Sequence, residues 1–379
     1  MSDLFKLFCC LSLMALLAAC GSATSAPAAD PTAAPAAQAQ AAPTTAAAEP
    51  PSPDPTATPE PTVTPVPVEP GSSRSAPLPL GTEVRFEEWA VTITEVTRGD
   101  AAVQAIAAAN QFNDPAPEGQ EYLLATLTLT NISTEPEAQS ALFGVDLRLT
   151  GARNVLYSRA SVVVPQPLEG ELFPEGATVG QVAFLVPSDE GNLMFSVAES
   201  FSFDTEARRF VAIDAGATLS PDPTLSEVAE TELGSRRDTP APVGETVVSP
   251  AWQITVLEVV RGAEAAQRIT EANQFNDPAP EGQEYLLARV RVQYLGDAAP
   301  DATVMVDQSS FKITGSANVV YDRPSIVAPR PALDASLFPG GQVEGWVVVQ
   351  APADEGGLTL IFEPLFEFGN ANVRFLSIE

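Results

Sequence analysis

Three carboxylates fall within eight residues at Asp114, Glu118 and Glu121, and the same three return at Asp277, Glu281 and Glu284. Oxygen ligands at that density suit Ca²⁺, a hard cation that takes six to eight of them once backbone carbonyls complete its shell. The spacing matches no EF-hand loop. The competing reading is a stiff turn, in which Pro115, Pro117 and Gly119 fix the backbone, Asn110 and Asn113 satisfy its polar groups and the acids stand in solvent. Arg289 and Arg291 are a second charged feature. They alternate outward on a strand of an acidic protein, which marks an interface unless cross-strand acids take them.

Histidine is absent, and the only cysteines are Cys9, Cys10 and Cys20. Those absences exclude Ser-His-Asp and Cys-His machinery, His-ligated metals, and disulfides within residues 21–379. No nucleophile has a base, and carboxylate pairs of the kind that cleave glycosides come here without a cleft signal. The expectation is a protein that is not an enzyme and needs no cofactor other than, at most, Ca²⁺. A net charge of −30 repels nucleic acid and anionic headgroups.

The remaining residues with chemical character are aromatic or sit in turns. Phe112, Tyr122 and Phe173, with their counterparts Phe275, Tyr285 and Phe338, either line a groove or plug the ends of small cores; burial of Phe112 and Tyr122 is expected. Asp189-Glu190-Gly191 and Asp354-Glu355-Gly356 read as β-turns with glycine at positive φ.

These residues are positioned by a unit that the chain carries twice. The stretch ANQFNDPAPEGQEYLLA runs from Ala109 to Ala125 and again, unchanged, from Ala272 to Ala288. Around it GSSRSAPLPLG from Gly71 answers GSRRDTPAPVG from Gly234, and ELFPEG answers SLFPGG. Alternation predicts a first strand near Trp89–Val96, with a phase shift before Val96, and one near Trp252–Val259. A short helix follows, with Val103, Ile106 and Ala107, or Ala266, Ile269 and Thr270, facing the sheet and Asn110 or Asn273 stopping it. Ala125, Leu127 and Leu129 then alternate with threonines in the strongest strand, as Ala288, Val290 and Val292 do with Arg289, Arg291 and Gln293. Further strands fit Leu142–Thr150, Asn154–Tyr157, Thr178–Val186, Asn192–Ala198 and Arg209–Ile213. Seven or eight short strands and one helix in about 135 residues predict an antiparallel β-sandwich.

Ahead of the repeats, Lys6, the apolar stretch Leu7–Leu17 and Leu17-Ala18-Ala19-Cys20-Gly21 resemble a bacterial lipoprotein signal peptide, which implies lipidation of Cys20. Residues 21–70 are Ala, Pro, Thr and Ser with few large apolar side chains, so they cannot offset the entropy of ordering; the expected role is a spacer, the alternative a low-complexity tail without one. The expected plan is a signal peptide at 1–19, the anchored cysteine and a disordered linker at 20–76, a domain at 77–213, a linker at 214–239 and a second domain at 240–379.

The Arg-Gly-led helix, the Asn-x-Phe-Asn-x-Pro-x-x-Gly-x-x-Tyr passage into the central strand and the later Phe-Pro-x-Gly turn resemble a known family. It is the telokin-like, immunoglobulin-fold domain of unknown function of bacterial surface lipoproteins, a relative of the mycobacterial immunoprotective extracellular protein. The resemblance spans Leu80–Ile213 and Val243–Ile378. It implies two tandem Ig-like sandwiches on the extracytoplasmic face of a membrane, and no catalytic residues. The expected role is binding of envelope proteins or polysaccharide, with a connector long enough for both copies to engage; the alternative is a structural spacer without a ligand.

Overall fold

The computed structural model describes residues 68–201, 207–296, 299–367 and 369–379, all within one compact unit, Pro65–Glu379. Cys20, the expected signal peptide and most of the expected linker lie outside the described residues.

The first half comprises β1 (Glu83–Arg85), β2 (Trp89–Arg98), α1 (Asp100–Ala109), β3 (Gln120–Asn131), β4 (Gln139–Ser140), β5 (Val145–Thr150), β6 (Val155–Leu156), β7 (Glu171–Leu172), β8 (Ala177–Pro187), β9 (Met194–Glu199) and β10 (Arg209–Ala212). The second comprises β11 (Thr246–Val248), β12 (Trp252–Val260), α2 (Gly262–Ala272), β13 (Gln283–Tyr294), β14 (Val304–Asp307), β15 (Phe311–Thr314), β16 (Val320–Tyr321), β17 (Asp334–Leu337), β18 (Gln342–Pro352), β19 (Thr359–Phe362) and β20 (Arg374–Ser377). Every strand-to-strand pairing is antiparallel. Sheet β1-β2-β3-β8 faces β5-β9-β10 across one core, and β11-β12-β13-β18 faces β15-β19-β20 across another. The described chain is therefore all-β, two Ig-like sandwiches with one helix each.

The central strands show why the chain folds this way. Leu127 and Leu129 point into the inner core between half-buried threonines, as alternation requires. Nearer the start of β3, Tyr122, Leu123 and Leu124 are all buried. There α1 covers the outer face, so both sides of the strand are dry: Ala102 and Ile106 pack on Tyr122, Leu124 and Ala183. In the second half Ala265 and Ile269 pack on Tyr285, Leu287 and Trp346. The buried helix face thus runs through Ala102–Ile106 and Ala265–Ile269 (i, i+4), one residue ahead of the expected Val103 and Ala266. A ten-residue helix has little stability of its own, and the sheet selects which face it buries. The phase shift in β2 is real: a bulge falls between Ile93 and Glu95.

The two halves share a junction. Strand β6 of the first pairs with β17 of the second, Leu156 with Ser336 and Val155 with Leu337, and the Phe338 amide donates to the Asn154 carbonyl at 2.9 Å. Phe338 is fully buried among Leu156, Met194, Phe210 and Ala217. The Arg74 guanidinium lies 3.8 Å from the Phe338 ring centroid and donates to Asp301 Oδ1, Asn154 Oδ1 and the Pro300 carbonyl. Burial lowers the arginine's pKa and Asp301 opposes that shift, so a buried cation is retained by a full set of partners. The start of the segment 214–239 lies against this junction, and its later part bonds to the second sandwich through Thr231 and Gly234. Ala217 is buried in the junction, and the Leu219 amide donates to the Arg74 carbonyl.

Candidate functional site

The duplicated stretch leaves each helix through an asparagine with extended backbone, Asn110 or Asn273, whose amide still donates to Ile106 or Ile269. Its side chain then accepts from the amide of Phe112 or Phe275 at 3.1 Å, a local turn that only Asn or Asp makes well. Asn113 uses both ends of its amide. Nδ2 donates to the Ile106 and Val163 carbonyls at 2.8 Å, and Oδ1 accepts from the Val163 amide at 2.9 Å. Asn276 repeats this with Ile269 and Val327. Pro117 to Gln120 close a turn with Gly119 at φ 78°, and the Tyr122 hydroxyl ties back to the Asp114 carbonyl at 2.9 Å. Burial, with Asp114 nearby, raises the pKa of that hydroxyl, which keeps it a neutral donor.

The backbone is clamped, yet the aromatic side chains it carries point away from the protein. Phe112 and Phe275 are each 81% exposed, so the expected burial of Phe112 is wrong while that of Tyr122 holds. The two asparagines turn the loop so that residue 112 faces outward, and α1 already fills the space over the sheet. Val163 and Val327, to whose backbones the loops are tied, are also exposed. The other aromatic pair separates: Phe173 is 65% exposed, whereas Phe338 is fully buried in the junction.

The carboxylates do not act together. Asp114, Glu118, Asp277 and Glu281 are exposed, whereas Glu121 and Glu284 are half-buried. Glu121 is bound by Arg98 at 2.5 Å and Glu284 by Arg261 at 2.6 Å. Glu284 also accepts from the Gly262 amide at the start of α2, where a carboxylate complements the helix N-terminus. The Arg-Gly motif is thereby explained: the arginine fixes the strand's acid, and glycine takes φ near +60° to start the helix. Among the described residues no three acidic, cysteine or histidine side chains converge to hold a metal ion. Arg289 and Arg291 both bind Glu344 across the sheet, at 3.0 and 2.6 Å, the cross-strand pairing of the two readings.

The Asp-Glu-Gly turns hold a feature beyond turn chemistry: Glu190 in the first half and Glu355 in the second each anchor a neighbouring segment. Buried Glu190 accepts from the Arg153 amide and the Tyr157 hydroxyl, and Glu355 from Ser316, the Ala317 amide and Tyr321. Burial first, then the bond to Glu190, pushes the Tyr157 hydroxyl far above its ordinary pKa; the donors around Glu355 lower that carboxyl. The positive φ falls at Asn192 and Gly357, one residue beyond the expected glycines, because the turn closes earlier, on Pro187 and Pro352. The signal was present: Gly151-to-Tyr157 and Gly315-to-Tyr321 are matching segments that face these acids.

Residues 241–373 match the family model described as a domain of unknown function, DUF4352. No curated protein matches the chain. Among solved structures it is similar to ycdA of Bacillus subtilis subsp. subtilis str. 168, provisionally described as a lipoprotein. That likeness has 13% identity and a TM-score of 0.27, over 35% of this chain and 38% of that one. Also similar are yjhA of Bacillus subtilis (16%, TM-score 0.25, 36% of this chain and 99% of that one) and an uncharacterized β-sandwich protein of Clostridium difficile 630 (10%, TM-score 0.25, 40% and 100%).

Proposed function

We propose that the chain is a lipid-anchored extracytoplasmic protein whose two telokin-like Ig sandwiches bind envelope proteins or polysaccharide through the Phe112 and Phe275 loops. The observation that carries this is a pair of identical loops, each clamped by two asparagines and each presenting a phenylalanine to solvent. Single exposed apolar residues are ordinary on any surface. What sets these apart is that the same fixed geometry displays the same ring twice. Burying one phenylalanine against a partner contributes about 1.5–3 kcal/mol, and a pre-ordered loop loses little entropy in doing so.

Anchoring rests on the sequence around Cys20 and on an apolar stretch too short to remain as a spanning helix. Among the described residues no helix is long and apolar enough to cross a membrane. The fixed loops support a binding role, and the charge of −30 speaks against nucleic acid as partner.

The experiment is retention of the chain on isolated envelope polymer and envelope protein, alongside a Phe112→Ser, Phe275→Ser double variant. Retention of the parent and loss in the variant support the reading. Retention of neither points to a spacer.

A further inference from the structure

The internal junction has a donor and an acceptor, and the duplication supplies a second, unused set of each. The donor at the junction is the Phe-Pro-Gly-Gly turn after β17, with Phe338 as its knob. Its counterpart in the first half is the Phe-Pro-Glu-Gly turn after β7, where Phe173 stands 65% exposed. The acceptor is the Arg74 region of the first half. Its counterpart in the second half is Arg237, in GSRRDTP against GSSRSAP.

The unused acceptor is already formed. Arg74 donates to Asn154, and Arg237 donates to the equivalent Asn318 and to the Gly315 carbonyl. Where Phe338 fills the first acceptor, an open cavity of about 540 Å³ adjoins Arg237, Ser316, Asn318 and Thr359. The surrounding residues differ as a covered and an uncovered copy should. Leu156 is buried under β17, whereas its equivalent Val320 is 53% exposed; Phe210 is fully buried, whereas Phe375 is only half-buried.

Both strand edges that the junction would join are free. Strand β17 lies between β14 and β6, but β7 pairs only with β4, and β16 is the edge of its sheet. Charge also favours the match. Glu169, Glu171 and Glu175 are exposed around Phe173, while Arg236 and Arg237 flank the cavity. Arg236 is paired with Asp238, and Arg237 has no carboxylate partner among the described residues. Two glycines of the junction turn come near Asn154: a side chain at Gly341 would stand 2.4 Å from its carbonyl and one at Gly340 3.2 Å from its Nδ2; the donor turn of the first half keeps glycine at the tighter position, as Gly176, and carries Glu175 at the other.

We propose that the partner of both surfaces is a second copy of this chain: the Phe173 turn of one molecule enters the Arg237 cavity of the next, and β7 pairs with β16. Such a contact is heterologous, so each molecule keeps one free donor and one free acceptor, and assembly continues beyond the dimer. An anchored surface protein would thereby form chains along the membrane. This inference does not rest on the Phe112 and Phe275 loops.

The test is sedimentation of the full chain over a concentration range in density-matched detergent, with Phe173→Ser and Arg237→Gln variants. Both positions are exposed, and melting curves report whether each variant folds; Val320→Lys on β16 is a third disruption. The parent should form species that grow past the dimer with concentration, and each variant should associate at least tenfold more weakly. Mixing Phe173→Ser, which keeps its acceptor, with Arg237→Gln, which keeps its donor, should restore a dimer that grows no further. A parent that stays monomeric throughout, or association unchanged in all three variants, would overturn the proposal. A parent that assembles but is not retained on envelope material would count against the loop function alone.

Discussion

At the residue scale, the Glu190 and Glu355 anchors give the sharpest expectations. A methyl group at Gly151 would lie 2.5 Å from Glu190 Oε1 and 2.7 Å from the Gly191 carbonyl. Gly151→Ala should therefore destabilise the first sandwich by about 1–3 kcal/mol, read from denaturant melts. Glu355 supplies a pH dependence. Its carboxyl is lowered in the folded state, so its stabilisation is fully present above the ordinary carboxylate range and is lost as pH falls through the lowered value. Melting temperature followed downward from neutral pH should fall less steeply in Glu355→Gln than in the parent. These anchors escaped the sequence reading because Asp-Glu-Gly is turn chemistry anywhere. Only the fold brings Tyr157 and Tyr321 to the acid, across more than thirty residues.

At the element scale, the helix and its loop separate stability from display. Ile106 is buried and touches the outer face of β3, so Ile106→Ala should cost about 2–5 kcal/mol. Phe112→Ser in the same segment should leave the unfolding free energy within about 0.5 kcal/mol of the parent, since the ring is 81% exposed. The strands were legible because a one-residue change of register would turn every Leu and Val of β3 to the wrong face. The loop was half-legible. Asn110 stops the helix as its type suggests, but which way Phe112 points depends on Asn113 reaching Val163, a contact that no local pattern encodes. Which partner the acids take was not legible: closeness in sequence does not make side chains converge, and Glu121 turns to Arg98.

At the scale of the whole molecule, the junction makes the two sandwiches one body. Phe338→Ala removes a fully buried ring that also lies against the Arg74 cation. It should cost about 3–5 kcal/mol and convert a single calorimetric transition into two. The duplication was legible from identical letters; the junction was not, because Phe173 and Phe338 occupy equivalent positions and only one of them meets a neighbour. Two weak contacts carried by one chain multiply in affinity when both can engage. The most direct measurement is the affinity of the full chain for isolated envelope material, with the parent, Phe112→Ser, Phe275→Ser and the double variant compared. The loop account predicts at least tenfold weaker binding in each single variant and none in the double, with melting temperatures unchanged. Equal affinity across all four would contradict it.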